Sequence, residues 1–166
     1  MRFESPTTTK AAATLLGSES GVAHVLAGGT DLLVRMKMGA IEPDLIVDIK
    51  RIESLRTLKV AAAGVQIGAA VPAVRLGESD KLRSLWPGVV EAANLIGSDQ
   101  IQGRCTVVGN LCNASPAADS VPALIAAGAK ALIVGPKGKR RVAVEKVVLG
   151  PGRTSLARDE FIEAVV

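Results

Sequence analysis

Two glycine-bearing segments hold the residue types with the most chemical promise. The first runs Val25-Leu26-Ala27-Gly28-Gly29-Thr30-Asp31-Leu32: an apolar run, a double glycine, then the start of a helical pattern. The second runs Thr106-Val107-Val108-Gly109-Asn110, followed by Ala114-Ser115-Pro116 and Asp119. A diphosphate carries negative charge and many acceptor oxygens. It is held best by several N–H donors converging from a tight turn and a helix start. A Cβ obstructs that approach, so such a turn needs glycine. Ala27, Gly28, Gly29 and Thr30 supply bare backbone, and Thr30 adds a hydroxyl donor. The Asp31 carboxylate would repel a phosphate and is expected to turn back as a helix cap or onto a neighbouring amide. An ordinary strand-to-helix turn can carry the same residues, and a lone GGT is a weak signal. The second segment adds to it, because Thr106 and Asn110 flank Gly109 in an otherwise apolar stretch. Asp119, at a predicted helix start, is either an acid favoured by the helix dipole or an acceptor for ribose hydroxyls. Together the segments suggest a long nucleotide-type cofactor gripped from two sides.

Other chemistry has little support. There is no GxGxxG fingerprint and no phosphate-binding loop ending in Gly-Lys-Ser/Thr. His24 is the only histidine, which argues against a histidine-rich metal site or a Ser-His-Asp triad; it is expected at a strand edge. Cys105 and Cys112 are too few for an iron–sulfur cluster, which takes four thiolates. Both are expected as small apolar residues of a reduced, cytoplasmic protein. No catalytic acid or base and no metal ligand set is nominated.

The elements that must position these segments follow from periodicity. Thr7 to Leu16 reads as a helix opened by Pro6 and stopped by Gly17. Val22 to Ala27 is a buried strand. Asp31 to Met38 is a helix with Leu32, Leu33 and Met36 on one face, and Leu45 to Ile49 is another strand. This makes a strand–helix–strand unit with the double glycine at its first corner. Val65 to Ala69 is strand-like, and Pro72 to Leu76 and Leu82 to Ile96 are helical. Val107 to Asn113 is extended with turns, and Asp119 to Ala127 is helical. Ala131 to Val134 and Arg141 to Val144 form a hairpin pair. Asp159 to Val166 looks like the beginning of a strand that the chain does not complete. A lobe boundary is expected near residues 50–58.

With 166 residues and 48% hydrophobic composition, the chain can bury a core without disulfides or metal. Phe3, Trp86 and Phe161 are its only aromatic residues, so that core must be aliphatic, and Trp86 is expected to be packed. The net charge of +4 favours a phosphorylated ligand or an acidic partner without pointing to nucleic acid. The basic run Lys137-Gly138-Lys139-Arg140-Arg141 reads as a solvated hairpin tip. The N-terminus lacks the apolar run of a signal peptide. The apolar stretches at 60–74 and 121–135 are short and are interrupted by Gln66 and Lys130, so no membrane span is expected.

The same residues resemble the FAD-binding domain of molybdopterin dehydrogenases. Ala27 to Leu32 with Met36-Lys37-Met38-Gly39 is similar to its first flavin-binding segment, and Ile67-Gly68-Ala69 to its next landmark. Thr106 to Asn110, Ser115-Pro116, Asp119, Pro122-Ala123-Leu124 and Gly128-Ala129 resemble the second segment. Gly150-Pro151-Gly152-Arg153-Thr154 resembles a late loop. The resemblance covers nearly the whole chain in order. It implies an α+β fold of two lobes: a small βαβ lobe at 1–55, and a larger lobe at 56–166 with a mixed or antiparallel sheet and helices. FAD would lie extended between them. It also implies a flavin subunit passing electrons between FAD and the iron–sulfur clusters of a small subunit, which connect to a molybdopterin large subunit, in a hetero-oligomer. Site positions carried over are Ala27, Gly28, Gly29, Thr30 and Asp31 near the diphosphate. Thr106, Val107, Val108, Gly109 and Asn110 would lie around the diphosphate and adenosine, Asp119 near the ribose, and Ile96 and Leu156 beside flavin or adenine.

The chain departs from the family pattern in two ways. It has Val108 where the family has a second glycine, and a β-branched side chain there restricts the backbone and takes space beside the cofactor. It also stops at Val166, where family members continue into a further domain. The alternative is a shortened module that has lost FAD and serves assembly or generic nucleotide binding.

Overall fold

The computed structural model describes residues 1–166. Its first part is a parallel sheet of β1 (Arg2–Glu4), β2 (Ala23–Leu26) and β3 (Leu45–Asp48), in the order β1-β3-β2. The crossovers are α1 (Thr9–Ser18) and α2 (Leu32–Lys37). α1 starts where the Thr8 hydroxyl accepts from the Ala11 N–H at 3.1 Å. It buries Ala12, Ala13 and Leu16, and it passes through Gly17, the expected stop. Leu45, Ile46 and Val47 of β3 are at most 2% exposed, as befits an unbroken apolar strand between two neighbours. α2 differs from expectation, since none of its residues is buried. Six residues turn less than twice, and Leu33 and Val34 are left facing solvent.

Two 3₁₀ turns, Ile49–Arg51 and Glu53–Arg56, lead into the second part. It is built on an antiparallel five-stranded sheet of β4 (Leu58–Ala61), β5 (Gly64–Gly68), β6 (Lys130–Gly135), β7 (Gly138–Ala143) and β10 (Phe161–Val165), ordered β4-β5-β10-β6-β7. The link from β5 to β6 carries α3 (Val74–Gly77), α4 (Asp80–Leu85), α5 (Pro87–Asn94), α6 (Asp99–Gln102), α7 (Val107–Asn113) and α8 (Ser120–Ala126). A small hairpin of β8 (Val148–Gly150) and β9 (Arg153–Thr154) precedes β10. The α+β class, with a small βαβ part and a larger antiparallel part, is as the sequence implied.

Several local expectations are corrected. The single helix expected over 82–96 is two, because Pro87 takes the first position of α5 and Trp86 before it leaves the helical region, at φ −136° and ψ 62°. Trp86, expected to be packed, is 42% exposed at that junction. Residues 107–113, expected to be extended, form α7. Its β-branched pair suggested strand, but the Thr106 hydroxyl caps the helix by accepting from the Gly109 N–H at 2.8 Å. The last strand, β10, lies in the middle of its sheet and pairs with both β5 and β6. One hydrophobic cluster of 33 buried residues, aliphatic but for Cys105 and Phe161, joins the two sheets, including Leu45 and Val47 of the first with Ile133 and Ile162 of the second. α1 lies against β6.

Candidate functional site

A cleft of about 380 Å³ opens beside the double glycine, and both glycine-bearing segments line it. Ala27, Gly28, Gly29, Thr30 and Asp31 contribute one wall, and Thr106, Val108, Gly109 and Asn110 another, with Ile96 and Leu156 adding apolar surface. Two of the site residues expected from sequence are not on this cleft. Val107 is fully buried in the core. Asp119 is exposed at the cap position of α8, makes no side-chain cap and does not line the cleft.

The segments are brought together by a backbone contact. A Cβ added to Gly28 would lie 2.2 Å from the Arg104 carbonyl oxygen and 2.9 Å from the Cys105 Cα. Only a residue without a side chain lets these two stretches approach so closely. Gly29 has φ +80°, the left-handed region that glycine occupies without strain, and this turns the chain from β2 into α2.

The turn also leaves donors free. None of the N–H groups of Ala27, Gly28, Gly29, Thr30 and Asp31 donates to a main-chain carbonyl. The nearby side-chain acceptors are engaged elsewhere: Thr106 Oγ1 with the Gly109 N–H, Asn110 Oδ1 with Ser120, and Asp31 Oδ1 with Asn113. Five successive main-chain donors without a protein partner, on the wall of a cleft, form a site fitted to a polyanion. The second segment is different. The Gly109 N–H is taken by the cap, and Asn110 Oδ1 accepts from the Ser120 hydroxyl at 2.7 Å, which ties α7 to α8.

The Asp31 carboxylate neither caps α2 nor accepts from a neighbouring backbone amide, the two expected alternatives. It instead accepts from Asn113 Nδ2 at 3.4 Å across the cleft. Val108 is 4% exposed and belongs to the core cluster. Because α7 is helical from Val107 onward, that side chain packs inward while the residue still borders the cleft. Bare backbone thus borders the cleft on one side and a helix on the other.

Sequence reasoning missed the charged end of the cleft, where His24, Arg35, Arg158 and Glu160 also line the wall. His24 lies on the edge strand β2, as expected. Burial, helped by the Arg35 guanidinium, pushes its imidazole below the ordinary value. Arg158 donates to the Glu19 and Gly21 carbonyls, fastening the loop before β10 to the loop before β2. No sequence signal marks these residues, since each is an isolated charge whose neighbours come from distant segments. Both cysteines also border the cleft. Burial pushes the Cys112 thiol up to about 12, and burial with the Asp31 charge raises that of Cys105, so neither is a ready nucleophile. No group of three or more His, Cys, Asp or Glu could hold a metal ion, and no helix is long and apolar enough to cross a membrane.

Comparison with known proteins points the same way. A family model for the FAD binding domain in molybdopterin dehydrogenase matches residues 1–166. The carbon monoxide dehydrogenase medium chain of Hydrogenophaga pseudoflava is 34% identical over 163 residues, covering 97% of this chain and 57% of that one. The xanthine dehydrogenase FAD-binding subunit of Escherichia coli O157:H7 is 34% identical over 157 residues, covering 94% of this chain and 54% of that subunit. A solved structure of the Hydrogenophaga pseudoflava carbon monoxide dehydrogenase superposes with a TM-score of 0.94 at 32% identity, over 100% of this chain and 58% of the other. The chain thus spans a little over half the length of these relatives. It belongs to the family of FAD-binding domains of molybdopterin dehydrogenases, and its cofactor is FAD.

Proposed function

We propose that the cleft holds FAD extended, with its diphosphate on the N–H groups of Ala27 to Asp31. The observation that carries this is the run of five main-chain donors without a protein acceptor. Gly28 keeps the turn closed against Arg104, and Gly29 provides its left-handed bend. The Asn113 amide holds the Asp31 carboxylate away from the phosphate oxygens. Ile96 and Leu156 offer apolar surface to the ring systems and exclude water there. In this reading residues 1–55 act as one lobe and 56–166 as the other.

When bound, FAD supplies electron exchange in single or paired steps; the protein orients it and sets its electrostatic surroundings. The domain would serve as the flavin-binding part of a medium subunit in a molybdenum hydroxylase. Electrons would pass between the iron–sulfur clusters of a small subunit and a terminal acceptor, with the substrate oxidised on a molybdopterin large subunit. The names of the relatives, a medium chain and an FAD-binding subunit, support a hetero-oligomer. The test is the flavin absorption of the purified chain, before and after incubation with FAD, and of the complex recovered with its partners. One FAD per chain, reduced by electrons from an iron–sulfur partner, is expected. A chain that neither retains nor takes up FAD would contradict the proposal.

A further inference from the structure

We infer that a second pocket, adjoining the cleft at Ala27, binds a phosphate-bearing small molecule through side-chain cations. The pocket has a volume of about 490 Å³ and is lined by Lys50, Arg56, Arg75 and Arg104, with no carboxylate in its wall. The four cations come from four separate places: the two 3₁₀ turns, α3, and the link between α6 and α7. Tertiary folding therefore gathers them, and a local run of basic sequence does not account for it.

Their neutralisation is incomplete. Lys50 pairs with Asp48 at 2.7 Å, and Arg75 with Glu78 at 3.0 Å. The second pair is well exposed on both sides, so water screens most of it. Arg56 and Arg104 pair with no carboxylate. Clustered like charges repel, and an anion seated among them relieves that repulsion. Guanidinium groups present paired N–H donors that match phosphoryl oxygens. The volume lies within the roughly 300–1,000 Å³ usual for small-ligand sites. A concave wall fits such a ligand better than it fits the flat acidic face of a protein. The recognition differs from that of the FAD cleft, where main-chain amides do the work.

The phosphoryl group could belong to inorganic phosphate or pyrophosphate, or to a nucleoside phosphate. Calorimetric titrations with phosphate, pyrophosphate and AMP separate these sources. Saturable binding is expected, and the Arg56→Gln/Arg104→Gln double variant should weaken it by at least about ten-fold, because each loses charge-assisted hydrogen bonds. Neither side chain makes an ion pair, so the variant should fold, which its thermal unfolding checks. Lys137→Gln, a basic residue outside the pocket, should leave affinity unchanged. The double variant decides the matter whether or not the chain holds FAD. In the FAD-loaded chain, where the cleft is filled, AMP binding more tightly than phosphate would assign a nucleoside phosphate, and equal binding would assign the phosphoryl group alone; either supports the site. Absence of saturable binding, equal affinity in the double variant, or complete displacement by FAD would overturn it.

Discussion

Gly28→Ala tests the contact on which the cleft depends. The new Cβ would sit 2.2 Å from the Arg104 carbonyl oxygen and 2.9 Å from the Arg104 carbonyl carbon, whereas ordinary contacts begin near 3.4 Å. Both neighbours are main chain, so no side-chain rotation relieves the clash. The two backbone stretches must part by about 1 Å, in an interior packed too densely to absorb it freely. Overpacking of this kind costs about 1–3 kcal/mol, and in a domain of this size each kcal/mol lowers Tm by about 2–4 °C. A shift of about 1 Å also takes main-chain donors out of hydrogen-bond range of a seated diphosphate. Losing one such charge-assisted bond weakens FAD binding by about ten-fold or more. Thermal unfolding measures the first effect and quenching of FAD fluorescence the second. Gly39→Ala is the contrasting control: Gly39, unlike Gly28, has positive φ, at +67°, and an added Cβ there meets nothing within 4 Å. It should cost about 1 kcal/mol in stability and leave FAD affinity intact. If the two variants bound FAD equally, close approach at Gly28 would not be what shapes the site.

Three further outcomes are expected. Thr106→Ala removes the cap of α7 and should cost about 1 kcal/mol, while Thr106→Ser restores it; equal unfolding midpoints for the two would contradict the cap. For His24, the folded value is depressed below the ordinary 6.5, so between the two values the unfolded chain holds a proton that the folded chain does not. Stability therefore falls as pH drops through that window. Urea midpoints across it should lose this part of their slope in His24→Gln, and an unchanged slope would assign it to other groups. The Cys112 thiol, partly exposed on the cleft wall and pushed up to about 12, should be alkylated slowly at mildly alkaline pH until the chain unfolds; rapid labelling of the native protein would contradict the raised value.

The sequence made the glycine turn legible because its chemistry is local. Two adjacent glycines between an apolar run and a helical pattern can do few other things, and both prove to be required, one by contact and one by φ. The hairpin of β6 and β7 was legible in part: an apolar run precedes a Pro-Lys turn, but Gly138 to Arg141, expected at a solvated tip, belong to β7, where Lys139 and Arg140 pair with Glu163 and Glu160. α7 was not, because Val107 and Val108 favour strand and only the Thr106 hydroxyl with tertiary burial makes them helical. The central position of β10 was hidden as well. Its partners β5 and β6 are distant in sequence, and nothing in Phe161 to Val165 announces them. Asp119 takes the helix start expected of it, while its side chain lies outside the cleft. His24, Arg158 and the four cations beside Ala27 were invisible as clusters, since folding alone assembles them.

Amide hydrogen exchange, with and without FAD, tests the central claim most directly. The N–H groups of Ala27, Gly28, Gly29, Thr30 and Asp31 have no protein acceptor, so they should exchange quickly in the cofactor-free chain and slow markedly when FAD is added. Slowing confined to other segments, with these five amides exchanging as fast as before, would mean that the diphosphate does not rest on this turn.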